Sequence, residues 1–314
     1  MLLAALVLAA PALAQDYPAK PVRILAGAAA GGNPDLIARL LASKLGESFG
    51  RPFIVEDVPG AGGVVAAETV ARAAPDGHTL MVGSSSALAI NIAVNPNVTY
   101  HPLRDFAPVT ALAAVPSVLI AHPSLPAASL QEFVALAKSK PGALSYGSAG
   151  VGSIHHLTMA AFVSRAGIDL VHVPYKGGTA LVAGVLTGQV PVGWSGIPNV
   201  APHIRAGKLR VYAISTASRS ALLAEVPTVA ELGFPGFDIA TVIGLQAPAG
   251  TPREIVARLQ AATAKALRDQ DTAERMHNLG MELMENGTEH YARFLKDDLE
   301  RYAMAVKAAG MKND

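Results

Sequence analysis

Val22-Arg23-Ile24-Leu25-Ala26 runs into Gly27-Ala28-Ala29-Ala30-Gly31-Gly32, and that turn runs into Asn33-Pro34-Asp35. The apolar run reads as a buried strand. Behind Pro34, the residues Leu36, Ile37, Leu40, Leu41 and Leu45 recur at helical spacing up to Gly46, so a helix follows the turn. The unit then repeats. Residues 53–56 form a second apolar run, Pro59-Gly60-Ala61-Gly62-Gly63 a second turn, and 64–73 a second helical stretch. After Pro75-Asp76-Gly77, a strand at 80–82 feeds Ser84-Ser85-Ser86. Strand, glycine turn and helix in alternation build parallel α/β sheets.

The rest of the chain keeps the style. Strands are expected at 117–121, 144–146, 170–173, 190–194 and 209–214, with helices at 154–166, 179–186 and 200–205. Ser129 and Glu132 form a capping box for a helix to about Lys138. Thr251-Pro252-Arg253-Glu254 combines an N-cap, an N1 proline and a capping-box acid for a helix to about Leu267. A last helix is expected at 289–308. Segments 108–116 and 234–237 are punctuated by Pro and Gly and read as paired crossings between two lobes. That divides the mature chain into 15–116 plus 235–314 as one lobe and 117–234 as the other.

Length agrees with two domains, since 314 residues exceed what one core usually supports. Lys and Arg number 25 against 24 Asp and Glu, without a basic cluster, so nucleic acid is not an expected partner. No cysteine is present, which excludes thiol nucleophiles, disulfides and iron–sulfur clusters. The histidines lack H-E-x-x-H spacing, so no metal site is expected, and no cofactor either. Residues 2–14 are apolar and uncharged, and Ala12-Leu13-Ala14 supplies a small-x-small cleavage pattern before Gln15. A run this short falls below the ~20 residues of a membrane span and fits the core of an export signal, although no basic residue precedes it. The mature protein is therefore expected outside the cytoplasm.

Two glycine loops at strand-to-helix junctions carry the chemistry. Gly31-Gly32-Asn33-Pro34-Asp35 and Gly147-Ser148-Ala149-Gly150-Val151-Gly152-Ser153 each bring backbone N–H groups to a helix start, where an anion is favoured. Asp35 caps the dipole itself, competes with an anion, or holds water or a ligand amine; the sequence leaves these open. Known nucleotide signatures fail: Val65 and His155 stand where a dinucleotide fingerprint needs glycine, and no Gly-Lys-Ser/Thr occurs. A nucleophile elbow also fails, because Tyr146 precedes Ser148 and Ile197 follows Ser195 at the required glycine positions. An exported α/β serine hydrolase using Ser148 or Ser195 is thus the runner-up, and no catalytic residue is assigned. In Val173-Pro174-Tyr175-Lys176-Gly177-Gly178, Tyr175 is placed to line a cleft. Lys176 either meets a carboxylate or is a solvated loop lysine. Trp194, the one tryptophan, either stacks on a ligand or packs in the core.

In order and spacing, these segments resemble the periplasmic solute receptors of tripartite tricarboxylate transporters, also called Bug receptors. The matching pieces are Tyr17-Pro18-Ala19-Lys20-Pro21-Val22-Arg23-Ile24, Gly31-Gly32 with Asp35, and Val55-Glu56 with Pro59-Gly60-Ala61-Gly62-Gly63. They continue with Pro75-Asp76-Gly77-His78-Thr79-Leu80, Tyr146 to Ser153 with His156, His172 to Gly178, and Ala247-Pro248-Ala249-Gly250-Thr251-Pro252. The resemblance implies a two-lobed, Venus-flytrap fold of the type II periplasmic-binding-protein kind, each lobe a mainly parallel sheet flanked by helices. It implies a small organic carboxylate held between the lobes, largely by backbone amides and water. The receptor would be a monomer serving the membrane permease of a tripartite tricarboxylate-type transporter or a sensor.

The expected ligand-binding residues are Ala28, Ala30, Gly31, Gly32, Asp35, Ser84, Ser85, Ser148, Gly150, Gly152, Ser153, Tyr175, Lys176 and Trp194, with Tyr175 and Trp194 shaping the far side. Departures from the family pattern bear on the ligand. Gly27-Ala28-Ala29-Ala30 replaces a run of prolines and an aromatic, which predicts a wider wall. Ala180 and Gly184 replace a proline and an acid, and Val242 a tryptophan.

Overall fold

The computed structural model describes residues 17–284 and 287–311; the expected export signal at 2–14 lies outside them. In chain order the elements are β1 (Val22–Ala26), α1 (Asn33–Phe49), β2 (Phe53–Asp57), α2 (Val64–Ala71), β3 (Thr79–Ser84), α3 (Asn91–Val94) and β4 (Phe106–Ala121). Then follow α4 (Leu130–Ser139), β5 (Ser145–Ser148), α5 (Ile154–Ala166), β6 (Val171–Pro174), α6 (Gly178–Leu186), β7 (Val192–Gly196), α7 (Ile197–Arg205) and β8 (Arg210–Ile214). The chain ends with β9 (Ala240–Pro248), α8 (Arg253–Arg268), α9 (Gln270–Asn278), β10 (Glu282–Leu283) and α10 (Thr288–Ala308).

Strand order is β2-β1-β3-β9-β4-β7-β5-β6, with β8 and β10 also on β4. The outer trios β2-β1-β3 and β6-β5-β7 are parallel. Antiparallel pairing is confined to β4, β9 and their partners. The reason is connectivity: strands that carry the chain between halves cross in opposite senses. β4 changes partners midway, pairing β9 through Pro116 and β7 and β8 from Ser117 onward. Each half then has its own core. One packs Ile37, Leu41, Leu45, Leu259 and Leu267 against β1, β3 and β9. The other gathers Phe133, Phe162, Trp194, Tyr212 and Phe237.

Local chemistry explains most boundaries. Ser129 Oγ accepts from Glu132 N at 3.2 Å, so Ser129 caps α4 as expected, while Glu132 Oε2 accepts from Ala128 N at 2.6 Å, one residue before the cap position that a capping box would use. α1 runs through Gly46 and ends at Gly50, whose φ of 64° closes the helix with a bond to Gly46 O. At α8 the start differs by one residue from the sequence reading. Pro252 is the cap position, and Thr251 Oγ1 donates to Pro248 O instead. Phe234 and Phe237 pack against Phe162, and β9 begins at Ala240. β9 and α9 were not expected from sequence.

Candidate functional site

Loops leaving the C-terminal ends of β1, β2, β3, β5, β6 and β7 face one another across a cavity of about 630 Å³, the position where open α/β sheets bind ligands. The first half contributes Ala28, Gly32, Asn33, Gly60 to Gly63, Ser84 and Ser86. The second contributes Gly150, Val151, Ser153, His155, Tyr175 to Thr179 and Asn199. Helices α1, α2, α5 and α6 all start on this cavity, so their partial positive ends converge. No Asp or Glu lines it, and Lys176 is its one cationic side chain among the described residues. A groove of similar size, about 660 Å³, lies between α1 and α9, lined by charged side chains of both signs such as Lys44, Glu47 and Asp271; no glycine turn opens onto it.

The two halves touch at the cavity wall. Asn91 Nδ2 donates to Gly152 O at 3.1 Å and to Ser86 O at 3.0 Å, while Ile154 N donates to Ser86 Oγ at 3.0 Å. Ser153 caps α5 by accepting from His156 N at 3.2 Å.

The cavity brings together seven of the expected residues: Ala28, Gly32, Ser84, Gly150, Ser153, Tyr175 and Lys176. Seven others sit elsewhere, each for a physical reason. Trp194 is fully buried, stacked on Phe237 at 6.2 Å, and belongs to the core. Asp35 is buried and accepts from Gly31 N at 2.8 Å, with Arg39 Nε 2.6 Å from its other oxygen; it caps its own turn and does not face the cleft. Gly31 and Ala30 are exposed on the outside of that turn. Ser85 accepts from Val242 N at 3.2 Å and donates to Asp298 Oδ2 at 3.3 Å, so it holds the start of β9. Gly152 meets Asn91 as above. Ser148 is fully buried, its Oγ 2.7 Å from His172 Nε2.

The donors also differ from the expectation. Gly31 N and Gly32 N are engaged inside their turn, by Asp35 and by Ala29 O at 2.9 Å, and Gly150 N by Ser148 Oγ at 3.1 Å. Lining amides without an acceptor among the described residues include those of Asn33, Ala61, Gly62, His155, Gly178 and Thr179. These N–H groups belong to turn residues and to the first residues of the helices, and two of them are glycines. Sequence reading missed Asn33, His155 and Asn199. Pro59-Gly60-Ala61-Gly62-Gly63 carries the same strand–turn–helix signal as the other two glycine loops and lines the cavity with them.

Burial tunes the histidines here. It lowers the His155 imidazole to about 4, and burial with neighbouring His172 lowers His156 to about 4. Both rings are therefore neutral at pH 7. His156 stacks on His172 with centroids 3.9 Å apart, and His172 stacks on Tyr146 at 5.0 Å.

The sequence profile described as the tripartite tricarboxylate transporter family receptor matches residues 37–311. Protein BugT of Bordetella pertussis is 35% identical over 306 residues, covering 97% of this chain and 94% of BugT. Among solved structures, R. palustris Rpa4515 with adipate superposes with a TM-score of 0.91 at 32% identity, covering 94% of this chain and 99% of the other. MatC of Rhodopseudomonas palustris with bound malate gives a TM-score of 0.88 at 33% identity, covering 92% and 100%. The two-lobed α/β architecture is thus that of periplasmic binding proteins.

Proposed function

The chain belongs to the tripartite tricarboxylate transporter receptor family, and we propose that it is an extracytoplasmic receptor holding a small organic carboxylate between its lobes for a membrane permease or a sensor. One observation carries the reading: helix starts from both halves converge on a single cavity with no acidic lining. An anion there gains from several oriented N–H groups at once, and gains most when both halves are in contact. Binding is therefore coupled to closure.

The same reading covers the finer points. The lobes meet at Pro116–Ser117 and near Ile239–Ala240, in support of which β4 changes partners at the first point and β9 begins at the second. Export follows from the leader at 2–14, and N-terminal sequencing of the secreted protein tests it. The receptor acts as a monomer, which gel filtration tests.

A thermal-unfolding screen over amino acids, di- and tricarboxylates and aromatic acids tests the central claim. A cognate acid at a hundred times its Kd stabilises by about 2.7 kcal/mol, a rise of several degrees for a chain of this size. No rise with any acid overturns the reading.

The contact between Ser148 and His172 favours a second reading, a serine hydrolase. Ser148 is fully buried beneath its loop, and a nucleophile must reach substrate. A serine-reactive phosphonate is expected to leave the protein unlabelled; labelling at Ser148 would establish the hydrolase instead.

A further inference from the structure

Among the described residues, His155 and Thr241 line the cavity deeply buried with every side-chain polar atom unpartnered, and His155 is the larger group, with two ring nitrogens. It is 7% exposed, and neither Nδ1 nor Nε2 has a hydrogen-bond partner among the described residues. Ser153 caps α5, which fixes His155 as the second residue of that helix, facing the start of α6. There the chain has Gly178. A Cβ at that position would lie 3.2 Å from Asn199 Nδ2 and 3.8 Å from His155 Cε1. With glycine there, no side chain comes between the amide and the imidazole.

We propose that His155 and Asn199 form a subsite for the end of the ligand remote from its carboxylate, and that this subsite selects a neutral group able both to donate and to accept, a hydroxyl or a carboxamide, over a second carboxylate. The proposal rests on the carboxylate-receptor reading above. A neutral imidazole offers one donor and one acceptor, and a primary amide offers both. A hydroxyl or carboxamide satisfies them together. A carboxylate only accepts, so it sets an anion against the imidazole lone pair unless the ring takes up a proton, which burial opposes. Sites built to hydrogen-bond a substrate group discriminate strongly, because a mismatched ligand leaves buried polar atoms unpaired. Lys176, exposed on the same lining, is the competing anchor for a second carboxylate.

Calorimetry at pH 7 on the mature chain tests this with acids matched in length: pentanoate, 5-hydroxypentanoate, glutaramate and glutarate. The hydroxy or amide acid is expected to bind at least tenfold tighter than glutarate. His155→Phe, checked for folding by its unfolding midpoint, should bring that ratio within threefold. His155→Gln, which keeps a donor and an acceptor, should retain the preference. Tighter binding of glutarate by the wild type overturns the proposal, as does a ratio unchanged in His155→Phe. In either case carboxylate binding itself survives. Failure of every acid in this set and in the wider screen overturns the carboxylate reading, and this proposal with it.

Discussion

Asn91 in the first half donates its side-chain amide to the carbonyl of Gly152 in the second, at 3.1 Å. Asn91 is 3% exposed, and its other bond, to Ser86 O, lies within its own half. One side chain therefore ties the serine turn after β3 to the glycine–serine loop before α5. Gly152 sits at φ 72° with its Cα hydrogens facing that amide, so a side chain there would push Asn91 away. Closure and ligand contact thus share a wall.

Asn91→Ala removes the bond made only when the halves meet. A hydrogen bond of this kind contributes about 1 kcal/mol, so ligand affinity is expected to fall roughly fivefold. Calorimetry against the parent chain measures it. Unchanged affinity would mean that the bond plays no part in closure.

Gly32→Val is expected to abolish detectable binding while preserving the fold. Gly32 has an ordinary φ of −72°, so the backbone accepts a side chain. Its Cβ would stand 2.9 Å from Ala28 Cβ and 3.0 Å from Ala29 O, forcing the cavity-lining turn outward. Circular dichroism should be unaltered and the ligand-induced rise in melting temperature lost.

Gly244→Ala separates stability from binding. Gly244 lies in β9 directly beneath the ring of Tyr291, which is fully buried and contacts Gln246. Overpacking of this sort costs about 1–3 kcal/mol, so the unfolding midpoint should drop by several degrees. Neither residue lines the cavity, and affinity below the new midpoint should be retained.

Stability should decline on acidification from pH 6.5 towards 4. His155 and His156 titrate near 4 in the fold against 6.5 unfolded. In that window the unfolded chain binds more protons, so stability is present above 6.5 and lost as pH falls. Asp298 acts oppositely: burial raises it from 3.8 to about 6, so the fold gains the proton first and recovers some stability between 6 and 3.8. Two groups outweigh one. Melting curves across this range should show a shallower acid slope for His156→Gln and a steeper one for Asp298→Asn.

The alternation of apolar runs, glycine turns and helical stripes was legible because each signal is local. Ser129 and Glu132 are three residues apart, and the stripe from Leu36 to Leu45 repeats every turn of one helix. The sequence of 314 residues therefore determined the class of architecture, the positions of both glycine loops and the family resemblance. Tertiary structure alone decided which N–H groups reach the cavity, since Asp35 and Ala29 engage the glycine amides that the motif advertised. It also decided that Trp194 is core, that Ser85 secures β9 across 157 residues of chain, and that His155 and Asn199 stand side by side. Such contacts join segments far apart in the chain. No periodicity records them, because they depend on how two lobes meet and not on how any one element forms.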